Sequence, residues 1–152
     1  MIVTISYQKF IDSETTKLIN LPVDAEDQAV GTELATLSDG LTYISIPDGY
    51  TLPAEQPSEI ANSIQTVTMT QSLNIEIRAA SPHVILINAR VREMIREQYS
   101  VEDELYFART AAGVLVGIYN YEPGEAAAFA LYFNSVEDAR NWGVAEKAKL
   151  GL

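Results

Sequence analysis

An α+β fold is the reading of this 152-residue chain, and three features of the sequence carry it. Short β-prone runs broken by turns fill the first half. Amphipathic helical spacing takes over after Thr70. Between them lies Leu52-Pro53-Ala54-Glu55-Gln56-Pro57. Each proline restricts its own φ and the residue before it, so this segment is expected to be an extended, stiff connector and the hinge between two lobes. The predicted organisation is a strand-rich acidic lobe over residues 1–52, a connector with a short extended segment over 53–69, and a helical lobe of three to four helices over 70–152.

The strand-rich part begins with Met1–Lys9, where Ile and Val alternate with Thr and Ser. Thr16–Leu21 is a weaker second run, and Asp24–Asp27 an acidic loop. Glu33–Leu37 and Leu41–Ile46 flank Ser38-Asp39-Gly40. Asp-Gly between β-prone runs signals a hairpin, because glycine supplies the positive φ that the turn requires. Pro47-Asp48-Gly49 closes that strand. After the connector, Ser58–Ser63 suits a helical turn and Gln65–Met69 a short strand or extended segment.

Thr70 is placed to N-cap a short helix that runs to Ala80. Ser81-Pro82 reads as a stop and a restart, with serine as N-cap and proline at the first helical position. In Pro82–Gln98, Val84, Ile87, Val91, Met94 and Ile95 fall on one stripe, with arginines and glutamates opposite. Ser100 with Asp103 three positions on predicts the cap of a third helix, expected to reach about Ala112 and to end at Gly113. Val114–Tyr121 fits a strand or a buried apolar linker, and its period does not decide. Glu122-Pro123-Gly124 is a turn. Glu125–Lys149 reads as one long helix, although Ser135 with Asp138 leaves open a break into two. Lys147 and Lys149 suit the negative end of its dipole, and Gly151 its stop.

The net charge of −11 is uneven. Residues 1–77 hold eleven acids and two bases, and residues 78–152 ten acids and eight bases. Phosphate binding needs clustered Lys and Arg, so no nucleic-acid surface is expected. No apolar run approaches the roughly 18 residues of a bilayer span, and no membrane contact is expected. Met1–Ile5 lacks the basic and long apolar regions of a secretory signal, so a protein is expected that is made in a cytoplasm and acts there, or leaves the cell by lysis rather than secretion.

The residues of chemistry are sparse. There is no cysteine, which excludes disulfides, thiolate ligands and thiol nucleophiles. The single histidine, His83, has no second His or spaced carboxylates to build a metal site, and no nucleophile to serve as a base. Glu102, Asp103 and Glu104 are explained by their place in a helix's first turn. Asp24, Glu26 and Asp27 lack the spacing and central glycine of a calcium loop. Neither a phosphate-cradling glycine loop nor G-x-S-x-G occurs. No catalytic residue, cofactor or metal is therefore assigned, and the chain is read as not an enzyme. Aromatic residues crowd the C-terminal part without interleaved bases. They are expected to be core alone, or core plus a protein–protein surface. Tyr99, Tyr106, Tyr119, Tyr121, Tyr132 and Trp142 are the candidate interface residues.

Several segments carry a resemblance: Leu41-Thr42-Tyr43-Ile44-Ser45-Ile46-Pro47-Asp48-Gly49, Leu52–Pro57, Ala79-Ala80-Ser81-Pro82-His83-Val84, Ile95–Glu104 and Trp142–Leu152. Over about residues 41–152 the chain resembles a group of small tail-region proteins encoded by bacteriophages and prophages. It departs from that pattern at Ala111–Tyr121, apolar where the group carries a charged segment. The resemblance implies a non-enzymatic virion protein of the tail tip, baseplate or tail fibres. Its partners would be other phage virion proteins and further copies of itself, as a homo-oligomer. Two other readings stand beside it: a tail-fibre assembly chaperone absent from the particle, and an acidic DNA mimic that blocks a host defence protein.

Overall fold

The computed structural model describes residues 1–152 and has the expected α+β class. Its elements are β1 (Val3–Tyr7), β2 (Thr32–Thr36), β3 (Thr42–Ile46), α1 (Ser58–Ala61), β4 (Gln65–Val67), α2 (Gln71–Ala80), α3 (Pro82–Arg96), α4 (Val101–Leu115) and α5 (Glu125–Ala148). The strands form one antiparallel sheet in the order β2-β3-β1-β4. Val3 of β1 faces Ile46 of β3 at one end of the central pair, and Tyr7 faces Thr42 at the other. The Asp-Gly hairpin forms as expected. Gly40 takes φ 81°, and the Asp39 carboxylate accepts from Leu41 N at 2.8 Å and from Tyr43 Oη at 2.7 Å. The weaker run Thr16–Leu21 forms no strand. Thr16 makes an isolated bridge to Phe10, and Ile19 is buried against the sheet.

Both faces of the sheet are covered, which the alternating pattern of the strands does not announce. On one face Ile5, Tyr7, Ile44 and Ile46 pack with Ile19 and Ile60. On the other, Tyr43 and Leu34 pack with Ile77 of α2, and Leu150 and Leu152 lie against them. The polar alternates Thr4, Ser6 and Ser45 are therefore buried too. Alternation usually marks a half-solvated sheet. Here short hydroxyl side chains let a helix and a chain end approach the second face.

The proline connector is not a hinge. Leu52, Ile60 and Ile64 pack against the first face of the sheet. Gln56 Nε2 donates to Asn20 O and Pro53 O, both at 3.0 Å, and Asn20 N returns a bond to Gln56 Oε1 at 2.9 Å. Proline stiffens a segment, but apolar residues spaced along it decide whether it docks. The chain divides into two compact units elsewhere: Met1–Ile85 with Lys147–Leu152, and Leu86–Glu146. The expected boundary near residues 53–69 is thus replaced by one inside α3 and one near the end of α5. Helix α2 belongs to the sheet unit because Ile77 and Leu73 are part of its core.

Local signals set most helix ends. Thr70 Oγ1 accepts from Leu73 N at 3.2 Å and caps α2. Ser100 and Asp103 form a reciprocal capping box, with Asp103 N donating to Ser100 Oγ at 3.0 Å and Ser100 N to Asp103 Oδ2 at 2.8 Å. The Ser81 hydroxyl was expected to cap α3, but it is buried without a hydrogen-bond partner. Ser81 is extended, with ψ 121°, as a residue before proline must be, and so breaks α2 from α3 by backbone shape alone. Gly113 does not end α4, which continues to Leu115. Gly117 is the stop. It takes φ 77°, Ile118 N bonds Gly113 O at 3.0 Å and Gly117 N bonds Val114 O at 3.1 Å. Helix α5 is continuous through Ser135.

Candidate protein–protein interface

The unit Leu86–Glu146 holds parts of α3, α4 and α5. Its interior seam on α4 is made by Phe107, Thr110, Ala111 and Val114, all buried or half-buried. The Phe107 and Tyr132 rings stack at 4.8 Å, 13° from parallel, and Tyr99 meets the Tyr132 ring edge-on at 5.1 Å. Such pairs add roughly 0.5–1.5 kcal/mol each beyond area burial. Tyr132 Oη donates to Glu104 Oε1 at 3.0 Å, and Arg96 pairs with the same carboxylate. Burial, then Glu104, raises the Tyr132 phenol above its ordinary value. Phe129 tilts against Phe107 and Phe133 and extends this aromatic cluster along α5.

At the other end of α4, Glu125 gathers three donors. It accepts from the Tyr106 hydroxyl, from Tyr119 Oη at 2.7 Å and from Glu122 N at 2.7 Å. These bonds hold the Glu125 carboxyl below its ordinary value, and donation to it pushes Tyr119 up to about 12. A shallow hollow of about 320 Å³ beside this knot is lined by Tyr106, Arg109, Thr110, Gly113, Ile118 and Tyr119. The carboxylate there is occupied in tying the α4–α5 turn shut.

The six tyrosine and tryptophan candidates are placed as follows. Tyr99 and Tyr132 lie in the aromatic cluster, half-buried. Tyr119 is half-buried on Glu125, and Tyr106 is exposed apart from its hydroxyl bond. Tyr121 and Trp142 are half-buried. Of the six, only Tyr106 is thus exposed, at 41%.

The open apolar surface of this unit is mostly aliphatic. Leu86, Val101, Leu105, Leu115, Val116, Ile118, Leu131, Phe133 and Val144 are all exposed, Leu105 at 65% and Leu115 at 87%. On α4, five of the exposed positions follow a rule: Val101, Leu105, Ala108, Ala112 and Leu115 are spaced 4, 3, 4 and 3. The helix thus has one apolar seam inside and a second outside. Reading only the aromatic residues missed this seam, although its spacing is plain in the sequence.

Elsewhere the acidic loops serve themselves. Asp12 Oδ1 accepts from Glu14 N and Thr15 N, and Asp24 Oδ1 from Glu26 N and Gln28 N. His83 is exposed in the first turn of α3. No group of three or more His, Asp or Glu side chains is placed to hold a metal ion. No helix is long and apolar enough to cross a membrane. No protein-family model, no curated protein and no solved structure matches this chain.

Proposed function

We propose that this chain is a non-enzymatic structural protein of a bacteriophage virion, at the tail tip, baseplate or tail fibres, acting through protein–protein contacts. One observation carries the protein-contact part: the exposed aliphatic surface of Leu86–Glu146, including a second apolar seam along α4. Monomeric proteins rarely leave large contiguous apolar patches in water, and such patches mark interaction surfaces. The virion part is supported by the resemblance over residues 41–152. Mass spectrometry of purified particles and immunogold labelling test it. The expected result is the chain in the particle, with label confined to the tail. Its absence from particles but presence in infected cells would replace this reading with an assembly chaperone, which would use the same apolar surface.

The DNA-mimic reading is weaker. It needs carboxylates displayed outward at phosphate-like spacing. Several acids of the sheet unit are engaged instead, Asp12 and Asp24 in capping their own loops, Glu33 with Lys9 and Glu59 with Lys17.

A further inference from the structure

We propose that the outer seam of α4 pairs antiparallel with the same seam of a second copy of this chain. This deepens the reading that Leu86–Glu146 works by protein contact, and does not depend on the virion assignment. At about 100° per residue, Val101, Leu105, Ala108, Ala112 and Leu115 fall within a stripe roughly 80° wide. All five are exposed. Their 4-3-4-3 spacing is that of an a/d seam, with Leu105 and Ala112 at a, and Val101, Ala108 and Leu115 at d. A helix apolar on two faces is expected to be covered on both.

The seam fits itself. In an antiparallel pair, a residues of one helix layer onto d residues of the other. One such register sets Leu105 of each copy over Ala108 of the other, and Val101 over Ala112. Between Val101 and Ala112 each bulky side chain then meets an alanine, which lets the helices approach closely, and Leu115 lies beyond the overlap. The same register brings Glu102 of each copy beside Arg109 of the other, twice by the two-fold symmetry. Glu102 and Arg109 lie on one flank of the seam, seven residues apart, around a hollow of about 340 Å³ that Leu105 and Tyr106 complete. Neither has an ion-pair partner in its own chain.

Charge sets the direction. A parallel pair would place Glu102, Asp103 and Glu104 of both copies side by side and align the two helix dipoles. Antiparallel pairing lays each acidic first turn along a stretch, Leu105–Leu115, that has no acid and carries Arg109. The one cross-pair that a parallel register offers, Glu104 to Arg109, is pre-empted because Glu104 already holds Arg96 and Tyr132.

The full-length chain is tested by sedimentation equilibrium over roughly 1–100 μM, a range that suits a small interface. A dimer is expected. Glu102→Arg and Arg109→Glu are each expected to weaken it about tenfold or more, because like charges then face each other. Mixing the two variants is expected to restore a one-to-one heterodimer, since every pair is then opposite. The chain lacks cysteine, so single replacements report geometry cleanly. A mixture of Leu105→Cys and Ala108→Cys is expected to oxidise to the mixed disulfide in preference to either homodisulfide. A monomer at all concentrations, a dimer indifferent to both charge reversals, or a preference for the two homodisulfides would overturn the pairing. None of those results would alter where the chain is found in particles, so the two proposals fail separately.

Discussion

Gly143 shows how one residue position can set a helix crossing. It is buried on α5, and a Cβ built there would lie 2.6 Å from Val91 Cγ2 on α3. Alanine improves helix propensity by about 1 kcal/mol, but a β-branched neighbour has no free rotamer to yield. The clash outweighs the propensity gain, and Gly143→Ala is expected to destabilise the chain by about 1–3 kcal/mol in urea unfolding. At the α4–α5 turn, Glu125 and Tyr119 define a window of pH. The Glu125 carboxyl is held below its ordinary 4.5, so its support is complete above that value and fades as pH falls through the lowered one. Tyr119 is raised from 10.0 to about 12, so its support is complete below 10.0 and is lost as pH rises through about 12. Ultraviolet titration is expected to show tyrosine ionising well above the free phenol. Protection of the Glu122 amide, taken relative to its intrinsic exchange rate, is expected to fall as pH drops through the lowered Glu125 value, where its acceptor protonates. Glu125→Gln is expected to bring the Tyr119 part of the late titration back towards 10.0 and to leave that of Tyr43, which burial and Asp39 raise to about 12.

Among the elements, α4 has both ends written in its sequence, though at different strengths. Ser100 with Asp103 closes the N-terminus reciprocally, and Ser100→Ala is expected to cost about 1 kcal/mol, read as a lower thermal midpoint. The C-terminus is set by Gly117 rather than Gly113. Both are glycines within five positions, and composition alone does not choose between them. Gly113 lies within the helix and its missing side chain leaves room for Tyr119, since a Cβ there would lie 2.9 Å from the tyrosine Cβ. The apolar run Val114–Tyr121 had no clear period because it straddles a helix end, a left-handed glycine and a return over the helix.

For the molecule as a whole, the consequential placement is that of Lys147–Leu152, which belong with the sheet unit. Leu150 and Leu152 pack with Leu34, Tyr43 and Ile77. The residues that follow α5 therefore complete the core on the second face of the sheet. Replacing both leucines by alanine is expected to cost about 2 kcal/mol, since half-buried leucines lose less than fully buried ones. Urea unfolding followed by far-ultraviolet circular dichroism measures it. An unchanged midpoint would mean that the sheet core is complete without those residues.

Much of the architecture is legible in single residues. Thr70, Ser100, Asp39-Gly40 and the 3.6-residue stripe of α3 each act within a few positions, and local bonds place them where local reasoning does. What tertiary packing decided is of longer range. Proline stiffness at Leu52–Pro57 suggested a hinge, but Leu52, Ile60 and Ile64 gain more by burial on the sheet than the segment gains by staying free. Ser81 looked like a cap, yet its hydroxyl is buried without a partner. The tyrosines marked a partner surface by composition, but aromatic rings gain from one another and Tyr99 and Tyr132 turned inward. The sequence by itself determined the α+β class and the spacing of both seams of α4. Only the tertiary structure decided which of those seams was already covered, because burial depends on what else the chain brings to a face.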